Sequence, residues 1–146
     1  MIKVAVTGAA GRMGRLIVKA ASEAEDVVVV SAVEAPLSAA LGADAGELAG
    51  VGRLGVKVTE RLEVPADVII DFSLPAATPL VLTAAADFKS AVVMGTTGHG
   101  PTELEAIETA AREIAVLKAA NMSPGVNLLL QTVEEIARTL GPAYDI

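Results

Sequence analysis

The run Gly8-Ala9-Ala10-Gly11-Arg12-Met13-Gly14 is the feature that most narrows what this chain can fold into. It follows directly on a β-branched stretch, Ile2 to Thr7, and opens a helical pattern from Arg12 to about Glu25. On that helix Met13, Leu16, Ile17, Ala20 and Ala21 are expected to share one apolar face. The three glycines are expected to serve different ends. Gly8 allows the tight turn, Gly11 lets a phosphate approach the backbone, and Gly14 lets the helix lie close to the sheet. Unpaired N–H groups at the helix start, reinforced by the helix dipole, favour a pyrophosphate there.

Val27 to Val33 is a nearly unbroken apolar run that stops at Glu34, as interior strands of a parallel sheet do. A carboxylate at the end of the second strand, about twenty residues past the last glycine, typically hydrogen-bonds an adenosine ribose. Glu34 therefore favours a free 2′-hydroxyl and so NADH, while Arg12 at the helix start could reach a 2′-phosphate. The structural alternative is a glycine turn that serves only packing, with Glu34 facing solvent.

The rest of the chain continues the alternation. Pro36 to about Gly55 reads as a loop with a short helix, and a short strand is expected near Val56 to Thr59. Core strands are expected over Asp67 to Phe72, Ala91 to Met94 and Ala115 to Ala120. Helices are expected from Pro75 to about Phe88, with Pro79 able to shift the start, and from Pro101 to about Ile114. Asn121 to Gly125 reads as a loop and Val126 to about Leu140 as a helix stopped by Gly141-Pro142. The tail Ala143-Tyr144-Asp145-Ile146 has the look of another strand beginning. The prediction is an α/β fold with a doubly wound parallel sheet. Hydrophobic residues make up 53% of the chain, mostly Ala and Val with no Trp, which suits helices packed tightly on a sheet buried on both faces. One complete core fits 146 residues; two ordinary domains do not.

Charge and cysteine usage exclude several function classes. A net charge of -7 disfavours nucleic-acid binding, and the absence of Cys removes disulfides, thiolate metal sites and thiol nucleophiles. No residue spacing makes a metal site. The N-terminus lacks a basic start and a long apolar stretch, and no apolar run approaches the roughly 18 residues of a membrane span. A soluble, cytoplasmic protein with a small-molecule ligand is the expectation.

Ligands of open α/β sheets lie outside the carboxyl ends of the strands. Phe72-Ser73, Gly95-Thr96-Thr97-Gly98 and Asn121-Met122-Ser123 all follow strands and so border the crevice that the glycine loop opens. The two threonine hydroxyls suit a nicotinamide ribose or a substrate carboxylate. His99, the only histidine, lies beside that turn without an evident acid or base partner, so a structural role is preferred over general acid catalysis. Asp71 ends a strand and could orient a loop by hydrogen bonds without being catalytic. Glu103, Glu105, Glu108, Glu134 and Glu135 lie on helices and read as solvated faces.

Taken together, these motifs resemble dihydrodipicolinate reductase, also called 4-hydroxy-tetrahydrodipicolinate reductase. The resemblance is carried by Val6 to Gly14, Glu34, Gly42-Ala43-Asp44-Ala45-Gly46-Glu47, Asp71-Phe72-Ser73, Gly95 to Gly98, and Ala120-Asn121-Met122-Ser123-Pro124-Gly125-Val126-Asn127, in family order. It implies a Rossmann-like domain that binds NADH or NADPH and serves hydride transfer to a cyclic dicarboxylated imine in lysine and diaminopimelate synthesis. By the same resemblance Gly8, Ala9, Ala10, Gly11, Arg12 and Met13 hold the pyrophosphate and Glu34 the adenosine ribose. Gly95, Thr96, Thr97, Ala120, Asn121, Met122 and Ser123 line the nicotinamide side. The family often carries an arginine after the ribose-binding glutamate, where it meets the 2′-phosphate of NADPH; here that residue is Ala35. Dual use of cofactors, or a preference for NADH, is expected. The family's proton donor, carboxylate-binding groups and tetramer interface belong to a following substrate domain with a His-His pair, a Lys and a Ser-Gly-Thr turn. Residues 1–126 are accordingly expected to be the dinucleotide-binding domain. Residues 127–146 are expected to be a connecting helix and the start of that second domain, making the chain a fragment without catalytic residues of its own. The rival readings are a non-catalytic NAD(P)-binding module and another two-domain dehydrogenase of the semialdehyde or homoserine type. The lack of Cys argues against the thiol-using semialdehyde class.

Overall fold

Short apolar runs, most of them joined by helical segments of five to twelve residues, leave the chain one economical solution: parallel strands joined by crossovers. The computed structural model, which describes residues 1–144, shows that solution. The strands are β1 (Ile2–Thr7), β2 (Val27–Val33), β3 (Val58–Thr59), β4 (Val68–Asp71), β5 (Ala91–Met94) and β6 (Val116–Lys118). The helices are α1 (Arg12–Glu23), α2 (Ala45–Ala49), α3 (Thr78–Phe88), α4 (Pro101–Ala110) and α5 (Pro124–Leu140). All strand pairs are parallel, in the order β3-β2-β1-β4-β5-β6. The order reverses between β1 and β4, and a crevice opens at such a switch point beyond the strands' carboxyl ends.

The core has two faces, as the mostly Ala and Val composition anticipated. On one side Val81, Leu82 and Ala85 of α3 and Ile107 of α4 pack on Ala5, Ile69, Val92 and Met94. On the other, Val18 of α1 and Ala45 of α2 pack on Val6, Ala32 and Val58. Small strand residues let the helices approach closely, so neither side needs an aromatic filler.

Several local expectations shift. The buried side of α1 is Gly14, Val18 and Ala21; Met13 and Leu16 are exposed and Ile17 half-buried. Two apolar stripes run along this helix, and the sheet takes the one containing Gly14 because only a residue without a side chain can approach the preceding loop there. Pro75–Ala77 forms a single 3-10 turn and the α-helix proper begins at Thr78, so that Pro79 sits in its first turn, where a missing N–H costs nothing. α4 stops at Ala110, and residues 111–114 form a turn. β6 spans three residues, shorter than the six expected. Ser123 caps α5 by accepting from the Val126 N–H, so the helix starts at Pro124 and takes in Gly125. The expected domain boundary after residue 126 thus falls within the first turn of α5. That helix buries none of its residues, and Leu129 is 61% exposed. Gly141, with φ 70°, ends it, and Gly141–Ala143 forms a 3-10 turn where a strand had been expected to begin. The remainder of that expected strand, Asp145 and Ile146, lies outside the described residues.

Candidate functional site

Gly8, at φ 69°, occupies the left-handed region, and a Cβ there would run into the Phe72 carbonyl. Gly14 is buried, and a Cβ on it would strike the Gly8 carbonyl oxygen and the Ala9 backbone. Both are demanded by packing, with Gly14 set against the loop itself. Gly11 is different. Its backbone (φ -69°, ψ 169°) is open to any residue, and the only atom near a Cβ would be the Gly8 carbonyl oxygen at 3.1 Å. Its bare face points into open space at the start of α1, where the Arg12 and Met13 N–H groups find no acceptor among the described residues. This surface fits a pyrophosphate: within the protein only the tight approach to the Gly8 carbonyl oxygen weighs against a side chain at residue 11, far less than the backbone clashes at Gly8 and Gly14.

Glu34 stands at the carboxyl end of β2, half-buried. One of its carboxylate oxygens accepts the Ala10 N–H at 2.7 Å and the other the Ala35 N–H at 3.2 Å. The carboxylate therefore fixes the second strand end to the glycine loop. The same cleft is lined by Gly8 and Ser73, and by Glu60 and Arg61 from just past β3, which pairs with β2. Arg12 and Ala35 are exposed. Sequence reasoning did not find Glu60 and Arg61, because nothing local links them to residue 34.

On the other side of the switch point, Met13, Phe72 and residues 119–123 line a second cleft. A Cβ on Gly95 would collide with the Phe72 ring, so this glycine lets the ring pack under the Gly95-Thr96-Thr97-Gly98 turn. Within the turn the two threonines part company. Thr97 is exposed, whereas Thr96 is buried with its hydroxyl directed inward. The Thr96 hydroxyl is thus taken up within the protein, against the expectation that both hydroxyls face a ligand, and only Thr97 of the pair is exposed. Thr96 Oγ1 donates to Asp71 Oδ2 at 2.7 Å and accepts the Ser73 N–H at 3.0 Å. Asp71 Oδ1 accepts the hydroxyls of Thr7 at 2.5 Å and Ser73 at 2.6 Å. One fully buried carboxylate thus ties together the ends of β1 and β4 and the loop after β5.

The Asn121 side chain accepts the Ser123 N–H at 2.8 Å, and Asn127 donates back to the carbonyls of Asn121 and Ser123. This lattice fixes the turn from β6 into α5, the outer wall of the second cleft. His99 Nε2 lies 3.0 Å from the buried Thr78 hydroxyl, and its Nδ1 is buried without a hydrogen-bond partner among the described residues. Neither nitrogen is offered to the clefts. The Gly42 to Glu47 motif is architectural: Asp44 accepts backbone N–H groups of Leu54, Gly55, Gly46 and Glu47, closing the loop on α2. These bonds, that from Leu54 foremost, hold its carboxyl below the ordinary value of 3.8. Among the described residues no group of three or more His, Cys, Asp and Glu could hold a metal ion, and no helix is long and apolar enough to cross a membrane.

Residues 2–122 match the family described as dihydrodipicolinate reductase, N-terminus. Among curated proteins, the chain is 50% identical to the 4-hydroxy-tetrahydrodipicolinate reductase of Alkalilimnicola ehrlichii, over 99% of this chain and 55% of that protein. It is 44% identical to the proteins of the same name from Methylocella silvestris (99% and 54%) and Rubrobacter xylanophilus (100% and 55%). The chain spans about half the length of the curated relatives it matches.

Proposed function

Because this chain belongs to the dihydrodipicolinate reductase family, by that family's N-terminal part, we propose that it holds the nicotinamide dinucleotide of a reductase acting on a cyclic, dicarboxylated imine of lysine and diaminopimelate synthesis. A bound NADH or NADPH would supply the hydride, giving tetrahydrodipicolinate. The observation that carries this reading is Gly11, whose bare face opens beside the Arg12 and Met13 N–H groups, with only the Gly8 carbonyl oxygen, 3.1 Å from a Cβ, weighing against a side chain there.

The chain's own part is binding and orientation. The Arg12 and Met13 N–H groups would meet the pyrophosphate at the positive end of α1. Glu34, already anchored through Ala10, would present its carboxylate to the adenosine ribose. Phe72 and residues 119–123, which line the second cleft, would bound the nicotinamide side, with the exposed Thr97 on the turn after β5 free to meet the ribose. With Ala35 after Glu34, and three carboxylates (Glu34, Glu60, Asp87) against one guanidinium (Arg61) around the ribose-side cleft, NADPH gains no evident advantage over NADH. Residues 1–126 form the dinucleotide-binding unit in this reading, with α5 leading onward from it. The proton donor and the substrate's carboxylate-binding groups belong to the rest of a full-length, cytoplasmic homotetramer that needs neither nucleic acid nor membrane.

Calorimetric titration of the 146-residue chain with NADH and NADPH, beside an NADH-oxidation assay with substrate, tests the reading. Binding of a dinucleotide without turnover is expected, because His99 is turned away from the clefts. Failure to bind either dinucleotide sinks the proposal, and turnover by this chain alone overturns the assignment of the acid elsewhere.

A further inference from the structure

Arg61 stands on the rim of the cleft that Glu34 lines, and its charge is not used within the protein. β2 pairs with β3 through Ala32 with Val58 and Val33 with Thr59, and the Glu34 N–H donates to the Thr59 carbonyl at 2.9 Å. The chain bends just past that pair: the Thr59 hydroxyl donates to the Arg61 carbonyl at 2.8 Å, and Leu62 packs against the core. The Arg61 backbone is thus held from both sides, beside the strand end that carries Glu34. Its guanidinium, by contrast, makes no hydrogen bond or ion pair among the described residues. An arginine placed only to offset Glu34, Glu60 and Asp87, the three carboxylates lining the same cleft, would be expected to pair with one of them. Among the described residues Arg61 is the one cation lining this cleft; Arg12, the other candidate cation, does not line it.

A carboxylate at the adenosine ribose accepts hydrogen bonds from free hydroxyls and repels a 2′-phosphate, which carries nearly two negative charges. Three carboxylates around one cleft disfavour NADPH unless a cation answers them. A guanidinium always carries its charge, and its planar fork suits a phosphate bidentately. Adjacent strands lie about 4.8 Å apart, well within the reach of an arginine side chain. We propose that Arg61 is the specificity-determining residue of the ribose cleft: it meets the 2′-phosphate of NADPH from the β3 side and keeps NADPH close to NADH in affinity despite Glu34, Glu60 and Asp87. This inference deepens the dinucleotide-binding reading and rests on it. It gives the loop after β3 a part in a choice that Glu34 and Ala35 alone would settle for NADH.

Paired calorimetric titrations of NADH and NADPH on wild type, Arg61→Gln and Arg12→Gln test the inference, with a melting curve for each protein. Arg61→Gln keeps a polar side chain without the charge, and at an exposed residue it is expected to leave Tm unchanged. NADPH should weaken about tenfold or more, as loss of a charge-assisted contact implies, while NADH stays within about threefold. Arg61→Lys, which keeps the charge but not the fork, should weaken NADPH less. The same contrast should appear between adenosine 2′,5′-bisphosphate and adenosine 5′-monophosphate, which carry the ribose-side groups without the nicotinamide. An Arg61→Gln protein whose ratio of NADPH to NADH affinity stays within about threefold of wild type, or a ratio that moves with Arg12→Gln instead, overturns the inference while leaving dinucleotide binding intact. So does a wild type that binds NADH and excludes NADPH. A wild type that binds neither dinucleotide would instead remove the binding proposal itself, and this inference with it.

Discussion

Substituting valine at Gly11 and at Gly14 separates a glycine kept for a ligand from one kept for the fold. At residue 11 the backbone is ordinary extended chain, and the new Cβ meets one carbonyl oxygen at 3.1 Å. Loss of glycine's freedom in the unfolded chain contributes about 0.4–1 kcal/mol in favour of the variant. The tight contact and a poorer N-cap oppose it by a few tenths or more. Stability should therefore change by less than about 1 kcal/mol, or roughly 3 °C in Tm for a chain of this size. Binding should suffer heavily. The valine methyls would occupy the space above the Arg12 and Met13 N–H groups, and each hydrogen bond to a charged group is worth about 1.5–3 kcal/mol. Losing both costs at least about 3 kcal/mol, or more than about 100-fold in affinity. At residue 14 the atoms in the way are the Gly8 carbonyl and the Ala9 backbone, which cannot yield without lifting α1. Overpacking of that kind costs about 1–3 kcal/mol or more. Parallel urea melts and NADH titrations on both variants decide the matter. A Gly11→Val protein that binds NADH within threefold of wild type, or loses as much stability as Gly14→Val, would refute the reasoning.

Other expectations follow from the same geometry. NADPH and NADH should bind wild type within about tenfold of each other, about 1.4 kcal/mol, and Ala35→Arg should move the balance toward NADPH; unchanged selectivity in paired titrations would point to Arg12 or Arg61 instead. Asp44, with its folded carboxyl below the ordinary 3.8, contributes stability that is present above the unfolded value and lost as pH falls through the folded one. Asp44→Ala should consequently flatten stability against pH below about pH 4 and release the Leu54 and Gly55 amides to hydrogen exchange. The exposed stripe of Val126, Leu129, Leu130, Val133 and Ile136 on α5 should drive self-association of this chain. Leu130→Glu/Val133→Glu should reduce the sedimenting mass without lowering Tm, since α5 buries nothing; a drop in Tm would show that the face is packed after all.

The alternation of strand and helix, the doubly wound sheet and the glycine loop were legible in the sequence because each rests on short-range physics. Unbroken apolar runs can only be interior strands or buried helices, and glycine after a strand marks a turn that other residues strain to make. Glu34 could be read because it ends such a run. The boundaries drifted where competing local signals were close in energy, as at Pro75 and Pro79 or at Ser123. Choices between equivalent surfaces were beyond sequence. Which apolar stripe of α1 faces inward was settled by the need for Gly14 to lie on the glycine loop. The direction of the Thr96 hydroxyl was settled by Asp71, and Asp71's own surroundings by Thr7, 64 positions away, and by Thr96, 25 away. A hydrogen bond of that kind leaves no periodicity in the chain. It exists only because parallel pairing sets the ends of β1, β4 and β5 side by side, and a buried carboxylate must then find its donors among whatever the neighbouring strands deliver.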